Sequence, residues 1–160
     1  MNKAVAPLVE IYKTNTNLFF GSINDISDSD MITRPNNKGN SLHWIAGHLV
    51  TCRYHVTKLI GLKEDCPWGE LMDYGASIKD QSEYPPLSEI KEVWTSITDK
   101  LIKRLGELTD SELQEKVTYD FPTNDKTVLG GIAFLALHDS YHVGQIAYIR
   151  NLLDYKSLTG

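Results

Sequence analysis

The chain has 160 residues, 41% hydrophobic and 23% charged, with a net charge of −5 at pH 7. That length suits a single domain, residues 1–160, with a core that needs no staple, and the composition excludes a disordered chain. The 16 basic residues are scattered rather than gathered into a stripe, which argues against nucleic acid, and no run reaches the ~18 apolar residues of a membrane span.

Residues 2–26 carry Val5, Leu8, Val9, Tyr12, Phe19, Ile23 and Ile26 mostly at spacings of three and four, which predicts a first helix. This opening segment has no long apolar core of the secretory kind, so the expected location is cytoplasmic. The polar stretch SDSDMITRPNNKGN then reads as a loop that ends in Asn40 or Ser41 as a helix cap. A second helix is predicted over residues 42–62, on the stripe Leu42, Ile45, His48, Leu49, Cys52, Val56, Leu59 and Ile60, with Gly61 as a stop signal. Residues 63–84 mix turn formers with isolated apolar side chains and read as a long, partly ordered connection of the kind found at site entrances.

The third helix opens at PPLSEI, where Ser88 is a candidate cap, and its face is Leu87, Ile90, Val93 or Trp94, Ile97, Leu101 and Leu105. A short helical turn capped by Thr109 or Asp110 follows, then a loop, and a last helix runs from Thr127 or the residue before it to about Leu153. Four long helices without period-two alternation predict an all-α fold, a four-helix bundle. Over residues 127–151 the last helix has only Asp139 and Arg150 as formal charges. It must therefore be covered on more than one face, centrally in the bundle or in a homodimer interface.

The last helix also contains HDSYHVGQIAYIR. Residues four apart share a helix face, so His138 and His142 point together, on the stripe Leu135, His138, His142, Gln145, Ile149 and Leu152 that should face inward. A lone inward histidine is ordinarily a core side chain satisfied by hydrogen bonds. Two adjacent imidazoles bring four ring nitrogens into a dry interior, and a metal would satisfy one on each ring. Catalytic zinc sites typically use three protein ligands. On the second helix His48 is the best third ligand by phase, His55 the runner-up, Cys52 a neighbour or closing fourth ligand, and His43 is rotated away.

HWIAGHLV and HDSYHVGQI resemble the paired signatures of the DinB-like superfamily, also described through its YfiT-like members: Trp44, Gly47, His48 and Leu49 in one block, His138, His142, Gly144 and Gln145 in the other. The resemblance covers almost the whole chain. It implies a metal-binding four-helix bundle, often dimeric, in which the first and second helices connect by a long crossover. It also implies a metal triad of His48, His138 and His142, with zinc or nickel as the divalent ion; three imidazoles suit cobalt and iron as well.

Around the triad, Gln145 is a candidate to orient a ligand, the alternative being a packed amide, and Tyr141 a candidate donor to substrate, the alternative being packing with a wet tip. Asp139 reads as a hydrogen-bond or salt-bridge partner, Trp44 as packing, Gly47 and Gly144 as sites of close helix approach, and Arg150 as a helix-end surface charge rather than an anion anchor. Cys52 and Cys66 suit reduced thiols. A metal on three imidazoles can turn bound water into a nucleophile for hydrolysis, or bind a low-molecular-weight thiol as thiolate for transfer to a small electrophile. The inward faces of the second and fourth helices offer no carboxylate as general base, which tilts the reading to a thiol S-transferase-like activity over a metal-dependent hydrolase, unless Glu10, Glu70 or Asp73 reaches the site. A non-enzymatic, stress-associated metal-binding protein is the remaining alternative.

Overall fold

The computed structural model describes residues 2–158. Six α-helices appear in chain order: α1 Ala6–Ile23, α2 Asp28–Met31, α3 Leu42–Leu59, α4 Leu87–Glu107, α5 Asp110–Gln114 and α6 Val128–Leu152, with 3-10 turns at Pro35–Asn37 and Gln81–Glu83. Local chemistry sets most of the ends. Ser41 caps α3 by accepting from the Trp44 N–H, Thr127 caps α6 from the Gly130 N–H, and Thr109 forms a capping box with Glu112 at α5. Gly61 stops α3 in the left-handed region, at φ 87°. Ser88 is not a cap: α4 begins one residue earlier behind Pro86, whose fixed φ suits a helix start.

The four long helices form the bundle. α1 packs on α6 and α4, and α3 packs on α4 and α6, which leaves α1–α3 and α4–α6 across the diagonals. Cross-helix bonds give the directions. Tyr12 reaches Ile132, Asn15 reaches Asp139 and Arg150 reaches Ser22, so α1 and α6 are parallel. Arg53 meets Thr98 and Arg104 meets Ile60, so α3 and α4 are parallel as well. The order is up, down, down, up. Two parallel neighbours cannot be joined by a tight turn, so residues 60–86 must return along the length of the bundle, and the long crossover joins the second and third long helices. The link between α1 and α3 crosses a diagonal at one end and holds α2.

Two apolar clusters fill the interior, one around Phe19, Leu49, Trp94 and Ile146, the other around Val9, Val56, Leu101 and Ile132. Between them lies a polar layer. Arg53, with no exposure, donates to Asp139 at 3.5 and 3.1 Å, to the Tyr12 carbonyl at 3.2 Å, to Thr16 at 2.9 Å and to Thr98, and its guanidinium lies 3.5 Å from the centroid of the Trp94 ring. Asn15 donates to Asp139 at 3.0 Å. Every long helix contributes to this network, α1 through Tyr12, Asn15 and Thr16, α3 through Arg53, α4 through Trp94 and Thr98, and α6 through Asp139, so it fixes their mutual register in the layer where the histidines stand. Arg150 is buried rather than a surface charge. It pairs with Asp25 and donates to the Lys156 carbonyl at 2.7 Å, tying the chain after α6 to the end of α1. Among the described residues no helix is long and apolar enough to cross a membrane.

Candidate metal centre

Antiparallel packing of α3 on α6 brings one turn of each into contact in the polar layer. His48, His138 and His142 converge there, each offering a nitrogen within 4.8 Å of the others. His48 and His142 are buried and His138 is half-buried, so the open side of the group is His138's.

The outer ring nitrogens are engaged. His48 Nδ1 lies 2.7 Å from the Met72 carbonyl oxygen, an acceptor only, so this nitrogen carries the proton and Nε2 keeps its lone pair. His142 Nδ1 donates to Gln145 Oε1 at 2.7 Å, and the Gln145 amide nitrogen donates to the Tyr141 hydroxyl at 3.1 Å. His142 Nε2 faces His138 Nε2 at 3.2 Å, with the proton between them on His138. That spacing is about the edge of a tetrahedron around an ion held at ~2.0 Å. His138 Nδ1 lies 3.6 Å from Cys52 Sγ, which can accept its proton when Nε2 binds a cation. Each ring therefore has an outer partner at Nδ1 and an Nε2 directed into the group, and this donor set fits a divalent transition metal.

Burial keeps the rings neutral. It is the main cause that lowers all three pKa values, and for His142, where His48 and His138 add to it, the value is pushed down to about 3. The walls are aromatic. Trp44 stacks on His48 with ring centroids 4.9 Å apart, Tyr141 meets His142 edge-on at 5.2 Å, and Phe134 lies 6.1 Å from His138.

Cys52 Sγ approaches His48 Nε2 at 3.4 Å but does not join the mutually close group. Burial raises its thiol pKa, so in the metal-free chain it stands beside the two rings as a neutral thiol. His55 shares the phase of His48 yet stands outside, on the surface, paired with Asp73 at 3.0 Å. His43 is a satisfied core histidine, with Pro85 at 2.8 Å and Gln81 at 2.6 Å on its two nitrogens. Among the described residues no carboxylate enters the group. Asp73 is taken by His55, Glu10 pairs with Lys13 on the surface, Glu70 is exposed, and Asp139 points away to Arg53.

The crossover supplies what the histidine pattern does not announce. Asp73 on His55, Trp68 on Thr51 at 3.1 Å and Lys100 on Glu64 at 2.6 Å pin it, and Met72 is fully buried against Gly47. A Cβ at Gly47 would stand 2.2 Å from Met72 Sδ, so the close approach foreseen there is to the crossover rather than to a helix. Among the described residues nothing lies within 4 Å of a Cβ at Gly144, so they show no close approach of the kind foreseen for it. Leu152, placed on the inward stripe by spacing, is exposed because α6 outruns the bundle there.

The sequence matches the DinB superfamily over residues 11–146. No curated protein sequence matches it. Among solved structures it is similar to YfiT from Bacillus subtilis, described as a probable metal-dependent hydrolase with an unusual four-helix bundle topology. The TM-score is 0.71 at 12% identity, covering 98% of this chain and 91% of that one, which shows a shared fold.

Proposed function

Because the chain belongs to the DinB superfamily, we propose that it is a divalent-metal-dependent enzyme whose ion, zinc or nickel, is held by His48, His138 and His142, and that it transfers a low-molecular-weight thiol to a small electrophile. The observation that carries this reading is the convergence of one ring nitrogen from each of three histidines in a group that, among the described residues, contains no carboxylate. When bound, the ion supplies Lewis acidity that lowers the pKa of a thiol at its open position. The chain's own residues do the rest. The Met72 carbonyl and Gln145 fix ring orientation, Trp44, Phe134 and Tyr141 limit water, and the half-buried His138 marks the way in. In the transfer the thiol proton leaves to solvent, sulfur bonds to the electrophilic carbon, and either the carbon–leaving-group bond breaks and the leaving group departs as its anion, or an epoxide C–O bond breaks and its oxygen takes a proton from solvent.

Hydrolysis is the second reading. It is favoured by the fold shared with a structure described as a probable metal-dependent hydrolase, and weakened by the lack of a base. The test is metal-loaded protein offered small thiols with epoxides and chloroarenes, then esters and amides without thiol. Thiol adducts that vanish in His142→Ala support transfer, and thiol-free ester or amide turnover replaces it with hydrolysis. No turnover at full metal occupancy leaves a non-enzymatic metal-binding protein. A chain that takes up neither zinc nor nickel, with a melting temperature unmoved by either, removes the site.

A further inference from the structure

We propose that the cavity of about 210 Å³ between residues 32–41 and the end of the crossover, residues 78–84, binds a short-chain monocarboxylate, its carboxylate held by Arg34 and the Trp44 indole N–H. Three buried side-chain atoms lack a partner among the described residues: Ser22 Oγ, Trp44 Nε1 and Trp94 Nε1. A buried polar group in that state calls for a water or a ligand to satisfy it. Trp44, 7% exposed, is the one of the three that borders this cavity.

The use of arginine points to the same place. Of the four arginines, Arg53 meets Asp139, Arg104 meets Glu112 and Arg150 meets Asp25, whereas Arg34 has no carboxylate partner among the described residues. It is held nonetheless. Its Nε donates to the Gly39 carbonyl at 2.6 Å and its Nη2 to the Lys38 carbonyl at 3.0 Å. The linker curls to make these bonds, with Asn36 and Asn37 both in the left-handed region, at φ 51° and 57°, a conformation that asparagine tolerates and most side chains resist. Two of the five guanidinium N–H donors are thus spent on position, and three remain. A half-buried guanidinium fixed by its own main chain and left without an anion is a fork set for a carboxylate.

The rest of the wall defines the ligand. Tyr84 is buried, and its hydroxyl accepts from the Lys79 N–H at 2.7 Å, which leaves its own proton to give. Lys79 adds an exposed ammonium, and Ser41 brings the positive end of α3 to the wall. Asp80 is the single carboxylate there; it is exposed, and among the described residues it pairs with neither cation. Ile32 and Ile78, each 45% exposed, supply apolar flanks, which favour a hydrocarbon tail over inorganic phosphate. At ~30 Å³ for each water-sized group the space holds about seven such groups, enough for butyrate and too little for a nucleotide or a peptide. The site shares one wall with the metal centre, because the Trp44 ring also stacks on His48. It needs no metal, so it stands or falls apart from the thiol-transfer reading.

Butyrate titrated into the full-length, nitrogen-15-labelled protein, with zinc bound and with zinc removed, is read at the indole N–H signals of Trp44, Trp68 and Trp94, with Trp44→Phe assigning the first. A saturable shift of the Trp44 signal is expected in both forms at about 1 mM, the range open to so small a ligand, while the other two signals stay still. Arg34→Gln should weaken binding at least about tenfold. Because Arg34 also braces its turn, Ile78→Glu serves as a second variant on exposed surface. It should weaken butyrate binding with melting temperature and zinc uptake unchanged. No Trp44 shift at tens of millimolar butyrate overturns the proposal, as does a shift seen only with zinc bound, which puts the anion on the metal. An equal shift at equal affinity with inorganic phosphate overturns the carboxylate class, and full-strength binding in both variants overturns the location.

Discussion

Replacing Asp139 by Asn deletes a charge and keeps its shape, which isolates the electrostatics of the polar layer. Asp139 accepts from Arg53 and Asn15, and the arginine has no exposure. After the change Arg53 keeps the Tyr12 carbonyl, Thr16, Thr98 and the Trp94 face, but no anion. Stranding one member of a buried pair costs about 3–5 kcal/mol, a large part of the ~5–15 kcal/mol that holds a domain folded. Arg53→Met should cost a similar amount, because Asp139 would retain only Asn15. The double variant removes both charges and should cost clearly less than the two single losses added together. Urea unfolding of the four proteins gives the cycle directly. A loss below about 1 kcal/mol for Asp139→Asn, the range of an exposed pair such as Lys58–Asp65, would refute the reasoning, and so would strict additivity.

Gln145→Leu should weaken zinc binding about 10- to 100-fold by freeing the His142 ring, read by competition with a chromophoric chelator; unchanged affinity would deny Gln145 this role. Gly47→Ala pushes a methyl into Met72 and should cost about 1–3 kcal/mol, and the loss should come with weaker zinc binding because the Met72 carbonyl moves with its side chain. Acid should destabilise the metal-free protein. The unfolded chain protonates its histidines as pH falls through about 6.5, while the folded rings resist, His142 down to about 3. Stability should thus be full above about pH 6.5 and fall from there toward pH 3. Loss already at about pH 5 belongs to the imidazoles, since paired carboxylates such as Glu112, held near 2, are still ionised there. Urea midpoints at about pH 7.5 and pH 5 check this, and a midpoint that rises on acidification contradicts it.

What was legible in the sequence was written in local chemistry. Ser41, Thr109, Thr127 and Gly61 mark helix ends because capping acts over three or four residues. His138 and His142 announce themselves because a one-turn offset is a local geometry. Phase hardly separates His48 from His55, two turns along, and in the sequence it is the Trp44–Leu49 block that selects His48. The crossover separates them, burying one ring under Met72 and leaving the other at the surface with Asp73. Helix direction is not legible, since an apolar stripe reads the same in either sense, and the long crossover that the resemblance implies between the first and second helices lies one link later, between the second and third. The Met72 carbonyl could not have been found by motif: every residue has one, and only the fold decides which carbonyl meets a histidine. Arg150 looked like a helix-end charge because its partner, Asp25, lies at the far end of the sequence.

The unusual order of directions and the outer partners of the metal centre have one cause. With α3 and α4 parallel, residues 60–86 must travel back along the bundle, and their path lies over the face of α3 that carries Gly47, His48, Thr51 and His55. An antiparallel pair joined by a short turn would leave that face bare. His48 would then lose both its cover and the acceptor that sets its tautomer. On the other side, α6 orients His142 with a residue of its own, one turn along at Gln145, and needs no loop there. Its outer face, with Leu137, Tyr141 and Tyr148, is left open to solvent. The bundle therefore holds the α3 side of the site with its own crossover and the α6 side with a neighbour on the same helix.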